Sequence, residues 1–262
     1  MRKGAQVYTV RAFLTDKAQC RESYRKIAGM GYDSVQTWPP AFMTPKELQE
    51  MLEEFNLVNC SSGAGYEKLL EGGAAVAEAA KTARIFNTKY VTVGTLPEEL
   101  RYSRDGYKRY AASLNKIAAD LKKEGCVLLY HHHALEFYSL GGGETGMDIL
   151  TGETDPEGVH FTFDTHWLVA AGVDAADWIR KVKNRMTIIH FKDYAITSGA
   201  EYIEGVCKTF AEVGEGNIHW PAVVEACRYT GVEYVIVEQD TCKGDPFDSL
   251  KISFDNMVRL GV

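Results

Sequence analysis

The feature that most constrains this chain is an eightfold alternation of short β-rich runs with stretches whose apolar residues recur at helical spacing. The runs lie at residues 6–11, 34–38, 57–62, 90–94, 127–133, 160–166, 187–193 and 234–240. Helical spacing fills residues 18–30, 45–55, 68–86, 104–124, 147–152, 175–182, 221–230 and 249–260. Strict β-α alternation predicts a parallel sheet, and eight repeats predict its closure into an α/β barrel of the (βα)₈ type. A doubly wound open sheet is the rival, but it needs a glycine fingerprint after the first strand, and this chain has none there. No composition break or low-complexity stretch divides the 262 residues, so residues 1–262 read as one domain.

Local signals agree with this layout. Thr44 stands where an N-cap belongs, with Pro45 at the first helical position. Gly31, Gly125 and Gly231 each follow a helical stretch, as left-handed C-terminal caps do. Tyr107, Tyr110, Leu114, Ile117 and Leu121 form one apolar stripe. The formal charge of −7 argues against a broad nucleic-acid surface. The six cysteines form no CxxC pair and fit no zinc ribbon or disulfide framework, which suits a reducing cytoplasm. The chain opens without a signal-peptide apolar region and holds no run long enough to span a bilayer, so a soluble cytoplasmic protein is expected.

In such barrels chemistry sits at the C-terminal ends of the strands. Strand side chains alternate faces, which groups His131 with His133, Asp164 with His166, His190 with Lys192, and Glu238 with Asp240. Imidazoles and carboxylates delivered to one end of a barrel are costly to bury unpaired, and a divalent cation satisfies them together. Mixed His/Asp/Glu ligation suits Mn²⁺, Co²⁺, Zn²⁺ or Fe²⁺ better than Ca²⁺. Each residue also has a plain structural role open to it. The histidine run can be a loop mouth, Asp193 can close an ion pair with Lys192, Asp240 can cap a helix, and Glu136 is either a spare ligand or a surface acid. Gly214-Glu215-Gly216 reads either as a backbone phosphate cradle or, preferably, as a turn. Gly141-Gly142-Gly143 reads as a lid or a tight turn. Trp38 and Trp167 are either walls against a sugar face or ordinary packing.

The segments YHHHALEF (130–137), FDTHW (163–167), HFKD (190–193), EVGEGNIHWPAVVEA (212–226), VEQD (237–240) and DPFDSLKIS (245–253) resemble the sugar phosphate isomerase/epimerase superfamily of xylose isomerase-like TIM barrels. The second half matches in register and the first half mainly in layout. The resemblance implies a divalent metal, Mn²⁺, Co²⁺ or Zn²⁺, held by one residue on each of strands five to eight. By position three of these are Asp164, His190 and Glu238. On strand five the superfamily's glutamate is replaced by His131, which departs from the arrangement of two metal-bound glutamates exchanging protons across a sugar. The YHHH run with HxKD and EQD is also similar to inosose dehydratases.

The expected activity is therefore isomerisation or epimerisation of a ketose or related carbohydrate, by proton abstraction next to a carbonyl through an enediolate. Glu238 is the base, His133 or His166 the partner acid, and Lys192 the electrostatic stabiliser of the oxyanion. Loss of a β-hydroxyl from the same enediolate gives the alternative, dehydration of a keto-polyol. The expected partner is a small sugar or polyol, with no nucleic acid or membrane; self-association is left open. The same fold hosts two other classes. An abasic-site endonuclease of this fold needs more His and acidic ligands than the first four strand ends supply. A metal-free carbohydrate-binding barrel remains the non-enzymatic reading.

Overall fold

A computed structural model describes residues 1–199 and 206–262. Its strands are β1 (Arg2–Gln6), β2 (Ser34–Gln36), β3 (Val58–Asn59), β4 (Ser62–Gly63), β5 (Tyr90–Val93) and β6 (Val127–His131). A hairpin of β7 (Ser139–Gly141) and β8 (Glu144–Thr145) follows, then β9 (Val159–Asp164) and β10 (Ile188–Phe191). A second hairpin, β11 (Asp193–Ser198) and β12 (Val206–Ala211), precedes β13 (Tyr234–Val237). The main sheet is parallel, in the order β3-β2-β1-β13-β10-β9-β6-β5-β4. Only Cys60 and Ser61 separate β3 from β4, and these halves pair with β2 and β5 respectively. They are one interrupted strand, and with it the eight-stranded barrel closes.

The helices are α1 (Lys17–Gly29), α2 (Pro45–Glu54), α3 (Tyr66–Glu71), α4 (Gly73–Ile85), α5 (Arg104–Lys123), α6 (Gly146–Glu153), α7 (Thr165–Ala170), α8 (Ala175–Lys181), α9 (Trp220–Thr230) and α10 (Pro246–Arg259). Thr44 caps α2 reciprocally with Glu47, behind Pro45 at the first turn. Gly31, Gly125 and Gly231 carry the positive φ expected of them.

Three expectations need correction. The first strand is Arg2–Gln6, and Val7–Phe13 is a 3₁₀ segment. Its sequence alternates like a strand but also places Val7 and Val10 three apart, the 3₁₀ period; the segment buries both, with Thr9, and is kinked at Val10. The single helix expected over 68–86 is two, because Gly72 at φ +70° breaks it between α3 and α4. The strands bearing the site also end earlier than expected: β6 at His131, β9 at Asp164, β10 at Phe191 and β13 at Val237. His166 therefore lies on the first turn of α7, not on a strand face shared with Asp164.

Register places the site. Asp164 on β9 lies level with His190 on β10, which lies level with Ile236 on β13; His131 on β6 lies level with Thr162. Two residues below His131, His190 and Glu238 sit Leu129, Ile188 and Ile236, which form an apolar cluster with Cys60, flanked by Tyr90 and Tyr234. Period-two alternation makes this cluster the plug inside the barrel, with the polar residues as the layer above it. The larger core packs the outer strand faces against the helices.

Candidate metal and substrate site

One ligand atom from each of His131, Asp164, His190 and Glu238 lies within 4.8 Å of the others. The donor set that position along the strands suggested is thus brought together, including His131 on strand five. Asp164 is fully buried, and His190 and Glu238 nearly so. The His131 ring is set by Nδ1, 3.3 Å from the Thr162 carbonyl oxygen, which leaves Nε2 as the ring nitrogen the protein does not engage.

His190 shows most clearly what the cluster can hold. Its Nε2 lies 2.6 Å from Gln36 Oε1, an acceptor, so Nε2 carries the proton. Nδ1 then presents a bare lone pair 2.9 Å from Glu238 Oε2. Two lone pairs facing at that distance repel unless a proton or a metal cation lies between them. Consistently, His190 Nδ1, Glu238 Oε2 and Asp164 Oδ2 are buried with no aligned hydrogen bond among the described residues. The other Asp164 oxygen is satisfied, accepting from the N–H groups of His166 (2.9 Å) and Trp167 (3.3 Å) as the N-cap of α7.

Lys192 completes the charge pattern. Its Nζ is 2.8 Å from Asp240 Oδ1, 3.4 Å from Asp164 Oδ2 and 3.6 Å from Glu238 Oε2. Burial works against the ammonium, but these three carboxylates outweigh it and raise its pKa above the ordinary lysine value. Three carboxylates face one ammonium, which leaves two negative charges for a divalent cation to neutralise. Burial pushes Asp164 up to about 6. On Glu238 burial acts upward too, and the Lys192 ammonium opposes it in favour of the carboxylate.

His133 and His166, the other two candidate site histidines, stand apart from the ligand cluster. The His133 ring centroid is 4.9 Å from that of His131 and 5.5 Å from that of Trp167. Burial and Lys192 lower its pKa. His166 packs in an aromatic wall with Trp167, Tyr194 and Phe210, and burial, then Lys192, lower it to about 4. Both are neutral imidazoles at pH 7.

Several alternatives are resolved by contacts. Asp193 is structural: its carboxylate accepts from the N–H groups of Gly214 (2.9 Å) and Gly216 (3.1 Å) and from Trp220 Nε1 (2.6 Å). These are the amides that a phosphate cradle would use, so the 214–216 loop already holds the protein's own anion. A Cβ on Gly216 would collide with that carboxylate. The Gly141–Gly143 stretch is the tight turn joining β7 to β8. Glu136 is neither ligand nor surface acid: fully buried, it accepts from the Tyr130 hydroxyl and from the His133 N–H at 2.8 Å. Asp240 pairs with Lys192, and α10 is capped by Asp245 instead.

Four residues escaped the sequence reading. Gln6, Gln36, Ser61 and Thr92 line, with the ligand histidines and Glu238, a cavity of about 240 Å³ above the plug. The available signal was polarity inside a strand: two glutamines stand where interior alternation calls for apolar residues.

Residues 24–255 match the xylose isomerase-like TIM barrel family. The chain belongs to that family. An inosose dehydratase of Clostridium perfringens is 28% identical over 226 residues, which cover 80% of this chain and 71% of the relative. The structure of a sugar phosphate isomerase/epimerase from Parabacteroides distasonis superposes with a TM-score of 0.79 at 19% identity, covering 98% of this chain and 93% of that one. An IOLI protein with a bound zinc atom superposes with a TM-score of 0.71 at 14% identity, covering 99% and 98%. Among the described residues no helix is long and apolar enough to cross a membrane.

Proposed function

We propose that this protein is a metal-dependent enzyme that removes a proton next to the carbonyl of a ketose or keto-polyol, forming an enediolate. The observation that carries the reading is the buried cluster of His131, Asp164, His190 and Glu238, whose ligand atoms lie within 4.8 Å of one another and whose two carboxylates, together with Asp240, leave two negative charges after Lys192. A divalent cation such as Mn²⁺, Co²⁺ or Zn²⁺ there supplies Lewis-acid polarisation of a substrate oxygen. The zinc in the structurally similar IOLI protein supports the same choice of group.

The chain's own residues do the rest. Glu238 is the base: its carboxylate lines the substrate cavity beside the ligand cluster. Lys192 is the fixed positive charge beside Asp164 and Glu238, and it stabilises the oxyanion as charge develops. His133, neutral and next to His131, takes a proton from or hands one to a substrate hydroxyl. His166 is the more remote acid, held in the aromatic wall that also flanks Lys192. Reprotonation of the enediolate gives isomerisation or epimerisation.

Two observations favour dehydration as a second reading. Strand five supplies an imidazole in place of a carboxylate, so the cluster lacks the second glutamate that proton exchange across a sugar would use. The curated relatives also include inosose dehydratases matching most of the chain. The same base serves both readings, and the setting is a soluble cytoplasmic enzyme of carbohydrate metabolism.

The test is incubation of the metal-loaded protein in D₂O with a ketose or an inosose, followed by NMR and ultraviolet absorption. The reading expects deuterium at the carbon next to the carbonyl, with an isomer, an epimer or an unsaturated ketone as product, and loss of all of these in Glu238→Gln. Exchange that persists in folded Glu238→Gln removes Glu238 as base; no exchange with any substrate removes the enediolate.

A further inference from the structure

Lys192 stands where the chain changes partners. Phe191, the last residue of β10, pairs with Val237 in the parallel barrel, and Asp193, the first of β11, pairs with Ala211 in the antiparallel hairpin. The residue between them belongs to neither ladder, so no strand pairing fixes the direction of its side chain. Its buried main chain is held by a single hydroxyl instead. Thr165 Oγ1 accepts from the Lys192 N–H at 3.0 Å and donates its one proton to the Lys192 carbonyl oxygen at 2.9 Å, the His190 carbonyl oxygen being more distant at 3.3 Å. The main chain of Lys192 has no other hydrogen bond among the described residues.

The hydroxyl is free for this work because of its neighbour. Thr165 opens α7, where a threonine often caps its own helix, but Asp164 Oδ1 already fills that role. Branching at Cβ narrows the χ1 choices of Thr165, which stiffens the clasp. The pair Asp164-Thr165 thus holds Lys192 at both ends: Thr165 at the main chain, and Asp164 through Oδ2, 3.4 Å from Nζ. On the other side of the break, the Asp193 carboxylate anchors the chain to Gly214, Gly216 and Trp220. Thr165 itself is fully buried and does not line the cavity.

We infer that Thr165 is a positioning residue: its hydroxyl sets the main chain at Lys192 so that the ammonium stands among Asp164, Glu238 and Asp240. The sheet supplies no such restraint at this residue, and three carboxylates attract the ammonium from different directions without fixing the backbone that carries it. What this implies for catalysis rests on the proposed reading of Lys192 as the charge beside the enediolate. What it implies for the place of the ammonium does not.

The experiment is a double-mutant cycle on the chelator-treated protein, Thr165→Val with Lys192→Met, read by thermal unfolding. Valine keeps the shape of threonine and removes the hydroxyl, which leaves a buried N–H and C=O unpaired in either background. The loss that comes from a displaced ammonium exists only where Lys192 is present. Thr165→Val should lower Tm by roughly 10 °C in wild type, and by at least roughly 4 °C less than that in Lys192→Met. Thr165→Ser, which keeps the hydroxyl, should lie within roughly 3 °C of wild type. Equal falls in the two backgrounds, or a fall in Thr165→Ser as large as in Thr165→Val, overturns the inference. Should Thr165→Val fail to fold, Thr165→Ala, with space for a water between the two main-chain groups, takes its place in the cycle under the same two outcomes.

The same variants, loaded with Mn²⁺ and given a ketose or an inosose in D₂O, test the catalytic consequence. Thr165→Val should lower kcat for exchange by roughly tenfold with KM within about twofold, and should add no more than about a twofold loss to Lys192→Met. Thr165→Ser should restore the rate. A roughly tenfold loss in both backgrounds contradicts action through Lys192. A wild type that exchanges with no substrate removes the enediolate reading, and the thermal cycle alone then decides whether Thr165 places the ammonium.

Discussion

Replacing Lys192 by methionine removes one charge and little volume from the centre of the site, so its effect is almost wholly electrostatic. The ammonium is nearly fully buried, 3.4 Å from Asp164 and 3.6 Å from Glu238, with part-exposed Asp240 at 2.8 Å. At an effective dielectric constant near 20, each of the two buried carboxylates attracts it by about 5 kcal/mol. Desolvation cancels much of that, and removing one partner from a buried ion pair typically costs about 3–5 kcal/mol. For a chain of this size that is a fall in Tm of roughly 10 °C. The variant also gains a stronger need for a cation, because its carboxylates then carry one more uncompensated charge. Thermal unfolding followed by circular dichroism should show the chelator-treated variant melting about 10 °C below wild type. Excess Mn²⁺ should then raise the variant's Tm by more than it raises the wild type's. A metal-free Tm within about 2 °C of wild type, or a smaller rise with Mn²⁺, would refute the charge reasoning.

Two further substitutions probe the supports of the site. Burial pushes Glu136 from 4.5 up to about 7, so the folded state holds its proton more tightly than the unfolded chain does. Its contribution is present below about pH 4.5 and is lost as pH rises to about 7, up to about 3 kcal/mol. Glu136→Gln should flatten the decline of Tm over that window, and parallel Tm–pH curves for variant and wild type would refute this. Asp193→Ala strips the acceptor from the amides of Gly214 and Gly216 and from the Trp220 indole, at about 1–3 kcal/mol for each buried donor. A loss above about 4 kcal/mol in urea unfolding is expected, and a loss below about 1 kcal/mol would deny Asp193 its structural role.

The architecture was legible because its signal is periodic and repeated: each β-α pair restates the same pattern, and errors at one end do not propagate. Boundaries were less legible where two periods coincide. Val7–Phe13 carries valines three apart within a sequence that also alternates, so both periods fit it, and it folds as 3₁₀ turns kinked at Val10. Asp164, His190 and Glu238 were readable as acids and imidazole after apolar runs, because a charged group there has few structural excuses. The expected pairing of Asp164 with His166 failed, since the strand ends at Asp164 and that residue caps the next helix. The glutamines and hydroxyls that line the cavity were hidden for a different reason. Neutral polar residues at strand ends are common, and only the 2.6 Å contact between strands two and seven, from Gln36 to His190, gives them meaning.

The central claim is that His131, Asp164, His190 and Glu238 form one divalent-cation site. Equilibrium dialysis of chelator-treated protein against Mn²⁺, Co²⁺ or Zn²⁺ tests it directly, in wild type and in His131→Ala. The account predicts one cation per chain in wild type and affinity weaker by roughly 10–100-fold in His131→Ala. Failure to bind any of the three cations, or equal affinity in the two proteins, would contradict it.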